Sequence, residues 1–572
     1  MGKKNIIRIL SVWMFAAVLH ATGFPGHASA QSLNPTVEVT RRFETSLKEI
    51  HKSPLALSAL DSLMSGTLDF DYSVFDRGLG EGRKFIPNAF GAVNLPSGKK
   101  EPVFLFDAGL GTGAAFPFLS HAAMDLALPI GKNFSLAVYG SHRGYFGNLS
   151  QLSFDTGVSE KTGVEYNDVI DMGNSAGISG KYSWKTGAFR FGVDYYGIMS
   201  RQSAARRDFN SLSGTIGVSS CRTDADYFYY RADVGYSYSD DRYSYPGAAV
   251  SGIIENKADA LVSIGPVFRR HHGVIADIGL RFAAYSGYRD LTVAAVDFVP
   301  RYHYSKGRWN IAAGVRFSVC FTDAAASAAM PDGTNGTNWI FPSADVSFMA
   351  VKDYLWLGVA ADGGNGLNRH SELVEKYPFL APGGIYGSFQ NFTVTPYRLS
   401  FKLSGRVRSW LSYEAHVRYG RQWGMATFAM ADALTPYMSY TLSSDFFNAG
   451  TSLSFSSKAV KVEAGFEYDD YFNVRGNGNE LLPPAVRGNG SVEYNWRQRV
   501  FISVGAVFSG KWGTAPYVIP AWVDLRAEVE YRFNEKFSVF VSGGNLLNDT
   551  IQYQPLQAVS GINFMAGIGL KL

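Results

Sequence analysis

The chain has almost no cysteine: Cys221 and Cys320 are the two such residues in 572. Their spacing matches no metal-binding pattern. Both fall near segments read as outer loops, so a disulfide in an oxidising compartment and two packed thiols are both open. Past the first thirty residues there is no apolar run of about 20 residues, which excludes helical membrane spans. Nor does one charge prevail. The 53 Lys and Arg against 49 Asp and Glu leave a formal net charge of +4, which points to no nucleic-acid partner. What the chain does have is Gly, Phe and Tyr, at 61, 41 and 32 residues. Aromatics favour strands, and glycines suit crowded barrel interiors and loop tips.

Residues 1–30 read as a signal peptide. Lys3, Lys4 and Arg8 make a basic start, and Leu10 to Leu19 is an apolar stretch too short to span a bilayer. Ala28-Ser29-Ala30 is a cleavage site before Gln31. His20, Gly23, Pro25 and Gly26 interrupt the stretch and argue against an anchor. Residues 31–102 carry charges without sustained alternation, and hold Pro35, Pro54, Pro87, Pro96 and Pro102. Short helices from Glu44 to His51 and from Pro54 to Leu63 are expected, with an isolated strand from Leu68 to Tyr72. The piece is a periplasmic or lumenal extension, packed in a barrel or on a partner, or else a flexible leader. A closed domain of that size would have a thin core.

From 103 to 572 the dominant signal is a two-residue rhythm. Val523, Leu525, Ala527, Val529, Tyr531 and Phe533 alternate with Asp524, Arg526, Glu528, Glu530 and Arg532. Successive side chains of a strand point to opposite faces, so one face is apolar and the other charged. The same holds for Phe189 to Tyr196, Tyr397 to Ser404, Leu411 to Gly420, Val460 to Asp469 and Ile562 to Leu572. Short polar turns are expected near 131–133, 185–187, 240–242, 271–273, 306–308, 352–353, 407–409, 457–458, 497–499 and 534–536. They alternate with longer polar segments such as 145–172, 201–223, 322–337, 367–390 and 423–442.

Ten turns join twenty strands, and a first strand near 103–113 with the closing one makes about 22. Pro246 and Pro266 blur 243–270, so 20 is the alternative. The predicted fold is all-β: a transmembrane antiparallel β-barrel in the outer membrane of a Gram-negative cell, long loops outside. Phe134, Trp184, Trp309, Tyr354, Trp356, Trp410, Trp496, Phe533 and Phe537 beside the short turns read as an interfacial girdle.

The charged stripes then line a lumen. The lumen-facing candidates are Arg190, Asp194, Arg398, Lys402, Glu414, Arg418, Glu463, Glu467, Asp524, Arg526, Glu528, Glu530 and Arg532. They make either a polar path for a solute or a network of wall-to-wall ion pairs. A barrel of this size left empty would leak, so the extension, infolded loops, a partner or dense side chains must fill it. The run from Asp524 to Arg532 best suits anchoring a lumenal segment. No cofactor or metal is expected. His271 and His272 are adjacent and point to opposite faces, and 331–338 lacks the spacing of a calcium loop. No catalytic residue is expected either. His142 and His303 lie near polar residues but carry no motif, and hydrolysis would need a His set beside a Ser or Asp.

The stretch from Phe537 to Asp549 resembles TonB-dependent receptors, especially those of Bacteroidota-type bacteria. Asn545-Leu546-Leu547-Asn548 is similar to a signature on the last hairpin of that family, and Gly561 to Leu572 follows as the closing strand. The phrase from Asn34 to Arg41 is similar to the start of a Bacteroidota envelope barrel group. The resemblance implies passage of a small-molecule or peptide ligand. It also implies outer-membrane lipid around the barrel and a periplasmic energising protein or other envelope partner. Residues 31–102 are too few for the family's plug and lack its glycine-rich strand pattern. The alternative is therefore a non-conducting barrel subunit or scaffold of an envelope complex.

Overall fold

The protein is described from a computed structural model. It covers residues 103–572 apart from 115, 131–132, 153–163, 203–204, 222–225, 245–250, 288–289, 323–337, 353, 379, 381–391, 408–409, 431–435, 442, 477–479, 515–516 and 555–556. The expected signal peptide with its Ala30–Gln31 cleavage point, the 31–102 extension and nearly all of the 331–338 turn lie outside the described residues.

The alternating pattern becomes strands throughout. They are β1 (Val103–Gly113), β2 (Phe118–Ile130), β3 (Phe134–Leu152), β4 (Val164–Trp184), β5 (Gly187–Gln202), β6 (Ala205–Ser220), β7 (Tyr227–Ser244), β8 (Ser251–Phe268), β9 (His272–Gly287) and β10 (Leu291–Lys306). Next come β11 (Trp309–Thr322), β12 (Asn338–Val351), β13 (Leu355–Leu367), the short helix α1 (His370–Lys376), β14 (Phe392–Val407), β15 (Leu411–Trp423), β16 (Ala426–Met430), β17 (Pro436–Tyr440), β18 (Ser443–Ser456) and β19 (Val460–Arg475). The chain ends with β20 (Val486–Trp496), β21 (Val500–Ser509), β22 (Trp512–Thr514), β23 (Tyr517–Ile519), β24 (Trp522–Arg532), β25 (Phe537–Gly544), β26 (Gln552–Gln554), β27 (Gln557–Ala558) and β28 (Asn563–Lys571).

Twenty-two of these strands form one antiparallel sheet, and β16–β17, β22–β23 and β26–β27 are separate small hairpins. The sheet closes because β1 pairs with both β2 and β28; Leu105 faces Lys571 and Gly113 faces Asn563 across the seam. Closure leaves no open edge and satisfies every ladder group internally, which the hydrocarbon layer demands. No helix among the described residues is long and apolar enough to cross a membrane. The crossing is made by strands.

The apolar stripe of each strand is the outer wall. Val193, Leu399, Phe401, Val504, Val529 and Ile568 are all exposed, as are Trp309, Tyr354, Trp410, Trp496 and Phe533 beside the periplasmic turns. A soluble protein would not leave so continuous an apolar surface in water. Lipid covers it, and the barrel sits in the outer membrane.

Three turn and loop expectations need correction, the first being the long segment 145–172, which is β3 up to Leu152 and β4 from Val164 onward. Residues 240–242 are not a turn but lie inside β7, and the short connection on that side is 221–226. The expected long segment 201–223 is mostly β6, which follows β5 after a gap of residues 203–204. The last two errors have one cause: polar side chains that read as loop, such as Arg207 and Asp241, are instead satisfied by partners inside the barrel. Cys221 accordingly sits beside a short periplasmic turn rather than an outer loop, while Cys320 is buried near the far end of β11; both are free thiols.

Candidate functional site

Among the described residues, the densest grouping of inward-facing side chains fills the mouth of the barrel. The described part of the connection between β13 and β14, residues 368–378 and 380, turns inward. Its α1 region is fixed to inward-facing side chains of β6, β7 and β8, which lie five to seven strands away around the wall. Arg369 donates two hydrogen bonds to Asp259, at 2.7 and 2.6 Å, and one to Glu372 at 3.2 Å. Burial disfavours the charge on Arg369, yet these carboxylates outweigh it and hold the guanidinium above its ordinary pKa. His370 Nε2 lies 2.7 Å from Asp241, and Ser371 donates its hydroxyl to Glu255. Lys257 donates to Ser371 Oγ at 3.1 Å.

Arg207 completes the anchor. It is buried, donates to Asp241 at 3.1 Å and to the Pro378 carbonyl at 2.7 Å, and also reaches the Leu380 carbonyl. Its guanidinium also stacks over the Tyr243 ring. A planar five-donor group is the side chain best suited to tie loop carbonyls to a carboxylate. On the next strands, Arg281 holds Asp297 at 2.7 Å and also bonds the Asn365 carbonyl and side chain at the top of β13. Segment 368–380 thus spans the lumen like a strap.

Other outer connections also turn inward. Leu373 and Leu380 join one buried apolar cluster with Met430, Leu481, Ile519, Ile551, Tyr553, Ala558 and Val559 from loops and small hairpins. The wall supplies Leu119, Tyr145, Leu149, Val169, Ile253, Leu291, Val293, Phe341 and Phe392. The mouth of the barrel therefore carries a hydrophobic core. Burying each such side chain is worth about 1.5–3 kcal/mol. Opening the whole mouth at once therefore costs more than releasing any one loop.

The residues singled out from sequence lie mostly below or beside this core and are largely paired. Arg190 meets Asp233 at 3.1 Å, and Asp194 accepts from Tyr139 at 2.6 Å. Arg398 makes two 2.8 Å bonds to Asp362, and Lys402 lies 3.0 Å from Glu414. Glu463 pairs with Lys461 at 2.9 Å and Glu467 with Arg487 at 3.4 Å. Asp524 binds Arg526 at 2.6 Å and accepts from the Tyr553 hydroxyl at 2.9 Å, and Glu530 binds Arg532 at 3.1 Å. Arg418 sits in register with Ser400 and Asn448. Glu528 lines a recess of about 430 Å³ together with Glu463, Asp524, Arg526, Glu530 and Arg532. The charges face one another around the wall, and the Asp524–Tyr553 bond ties an infolded hairpin to it.

Sequence reading missed the strap residues Arg207, Asp241, Glu255, Asp259, Arg369 and His370. Asp241 lies in the expected 240–242 turn, Arg207, Arg369 and His370 lie in expected long segments, and Glu255 and Asp259 lie in the stretch blurred by Pro246 and Pro266, so no local pattern joins them. The Asn545–Asn548 motif is a local structural device. Asn545 and Asn548 both adopt positive φ, 44° and 51°. Asn545 Nδ2 donates to the Asp549 and Ser560 carbonyls, and Asn548 Oδ1 accepts from the Ile562 amide. The motif folds the last outer loop back onto β28. His271 and His272 bond to Ser305 and Tyr302, respectively. No group of three or more metal-ligating side chains is assembled among the described residues.

No protein-family model matches the chain, and no curated protein matches it. Solved structures do. The chain is similar to the copper transporter OprC, with 11% identity over 83% of this chain and 82% of that one and a TM-score of 0.61. It is similar to the FrpB iron transporter from Neisseria meningitidis (F3-3 variant), with 8% identity over 83% and 82% and a TM-score of 0.60. It is also similar to the siderophore receptor PiuA from Acinetobacter baumannii, with 11% identity over 83% and 82% and a TM-score of 0.56. The resemblance seen in the closing hairpin thus extends to the whole barrel: the chain has the 22-stranded outer-membrane fold of the TonB-dependent receptors.

Proposed function

We propose that the protein passes a polar solute across the outer membrane, with segment 368–380 as the constriction that must move. The supporting observation is the nature of the strap. It is fixed by polar side chains of β6, β7 and β8 to a single connection, while the wall beneath is lined with mixed charge suited to a hydrated path. The titles of the similar structures name copper, iron and siderophores; the described residues of this chain assemble no metal-type ligand group, so the proposal stays at a polar solute. Entry would begin at the outer loops, and release of the strap would open the lumen without covalent chemistry. A periplasmic energising protein is the proposed source of work.

The buried anchor also supports a second reading, a closed barrel that serves as subunit of an envelope complex. Planar-bilayer recording separates the two. Passage predicts that the chain with segment 368–380 deleted conducts ions in steps that the intact chain shows rarely. A deleted barrel that stays silent, and an intact one that co-purifies with other envelope proteins, would sink the passage reading.

A further inference from the structure

One polar cluster lies on the wrong side of the wall. On the outer surface near the top of β2, β3 and β4, Ser120 Oγ lies 3.0 Å from His142 Nε2, and His142 Nδ1 lies 2.8 Å from Asn174 Oδ1. The register proves the orientation. Ala122 faces His142, which faces Asn174, and Ser120 faces Gly144 one row above. Exposed Phe118, Met124, Phe146 and Ile178 share that face. Polar groups turned to lipid are costly unless they satisfy one another, and ordinary alternation would place apolar residues here.

We propose that Ser120, His142 and Asn174 form a nucleophile–base–orienter triad that hydrolyses an acyl ester of an outer-leaflet lipid. The order of contacts fits the role. Asn174 accepts from Nδ1–H, which leaves Nε2 to take the proton of the Ser120 hydroxyl. Asn holds the same orienting position in Cys–His–Asn hydrolases. Gly144 makes the site: a Cβ there would lie 2.5 Å from Ser120 Oγ and 3.3 Å from His142 Nε2. With Ala122, Gly140 and Ala176 beside the three polar groups, the wall forms a shallow dish, rimmed by Leu110, Phe118 and Phe146. The height also fits. His142 is eight residues up β3 from Phe134. At about 3.3 Å per residue and a tilt of about 40°, it stands roughly 20 Å above the periplasmic girdle, near the top of an apolar band of about 25 Å. Lipid ester bonds lie at that boundary.

In the first step Ser120 Oγ bonds to the ester carbonyl carbon as its proton passes to His142 Nε2. The carbon–oxygen ester bond breaks, and the departing alkoxide takes the proton from His142. Water then attacks the acyl-serine, gives a proton to His142 and releases a free fatty acid as Ser120 regains its proton. Asn174 is a positioning residue. The three side chains supply no oxyanion donor, and lack of one costs about 10²–10³ in rate, so covalent capture is the first readout.

The full chain in detergent is treated with a fluorophosphonate probe, and the labelled peptide is identified by mass spectrometry. Expected is an adduct on Ser120, with none in H142A. Fatty-acid release is then measured from phosphatidylethanolamine vesicles and from lipid A vesicles, the two arms showing which backbone carries the ester. Release falls about 10²–10⁴-fold in S120A and H142A. It falls in N174A and returns in N174D with the pH profile moved upward, because a carboxylate stabilises the imidazolium. A Ser120 left unlabelled in wild-type barrels of intact heat-modifiable mobility overturns the proposal, whatever the variants do. Release unchanged in S120A overturns it as well. Neither result bears on passage through the lumen.

Discussion

At the scale of the residue, Arg207 is the side chain on which the strap depends most. It and Asp241 are each about 1% exposed, so neither can exchange its partner for water. Removing one member of a buried pair strands the other's charge and costs about 3–5 kcal/mol. Arg207→Ala should therefore release segment 368–380 while leaving the barrel folded. The check is amide exchange: protection at Leu373 and Tyr377, whose amides donate to the Arg369 and Leu373 carbonyls, falls toward the rate of an open loop. Protection unchanged from wild type would show that Arg369, His370, Ser371 and the apolar contacts of Leu373 and Leu380 hold the strap without Arg207. Arg369→Ala is the milder companion, since Asp259 is half exposed and water can replace its partner.

At the scale of the element, two kinds of segment behave differently. Barrel strands were readable wherever one face is apolar and the other charged, as in β14, β15, β19 and β24. β6 was not, because its alternation is diluted by Ser211, Ser213, Gly214 and Gly217, and because Arg206, Arg207 and Asp208 look like loop. Asp240, Asp241 and Arg242 likewise read as a turn; in the barrel Asp241 is satisfied by Arg207 and His370. Sequence alone could not supply that partner, which lies 129 residues away from Asp241. The turn count still came to ten because one misplaced turn stood in for one missed. The ordered β26–β27 hairpin gives an element-scale prediction. Tyr553→Phe removes the hydroxyl that accepts from Arg526 at 2.8 Å and donates to Asp524. A hydrogen bond to a charged group contributes about 1.5–3 kcal/mol. Proteolysis of native barrels at 545–562 should become faster by a corresponding factor of about 10 or more, with the rest of the barrel resistant.

At the scale of the whole molecule, stability rests on the seam between first and last strands. Gly567 on β28 is crowded by the Ala108 carbonyl of β1 and by the Phe540 ring, so any side chain there pushes the closing strand off one neighbour. Gly567→Val should lower the temperature at which the barrel loses its compact mobility on semi-native gels. The same substitution at Gly252, whose Cβ would meet nothing within 4 Å, should leave that temperature nearly unchanged. Equal shifts at both positions would mean that closure is not the weak point. The wall is also uneven. β3 and β4 have 19 and 21 residues, whereas β25 and β28 have 8 and 9. The connections next to the short strands are the ones that carry the β22–β23 and β26–β27 hairpins.

The sequence by itself determined the barrel. A period of two repeated across some 470 residues, with apolar residues on one parity, admits few structures, because every backbone group in lipid must be paired within the protein. Local chemistry also set the closing loop, since Asn545 and Asn548 tolerate positive φ and bond their own neighbourhood. Only the tertiary structure decided what fills the mouth and which polar groups meet. Strap and wall are far apart in the chain, whereas Ser120, His142 and Asn174 lie on three successive strands. Side-chain parity fixes the face on which a residue lies, but the shear of a closed sheet fixes its height, and only the two together bring such groups within hydrogen-bonding distance.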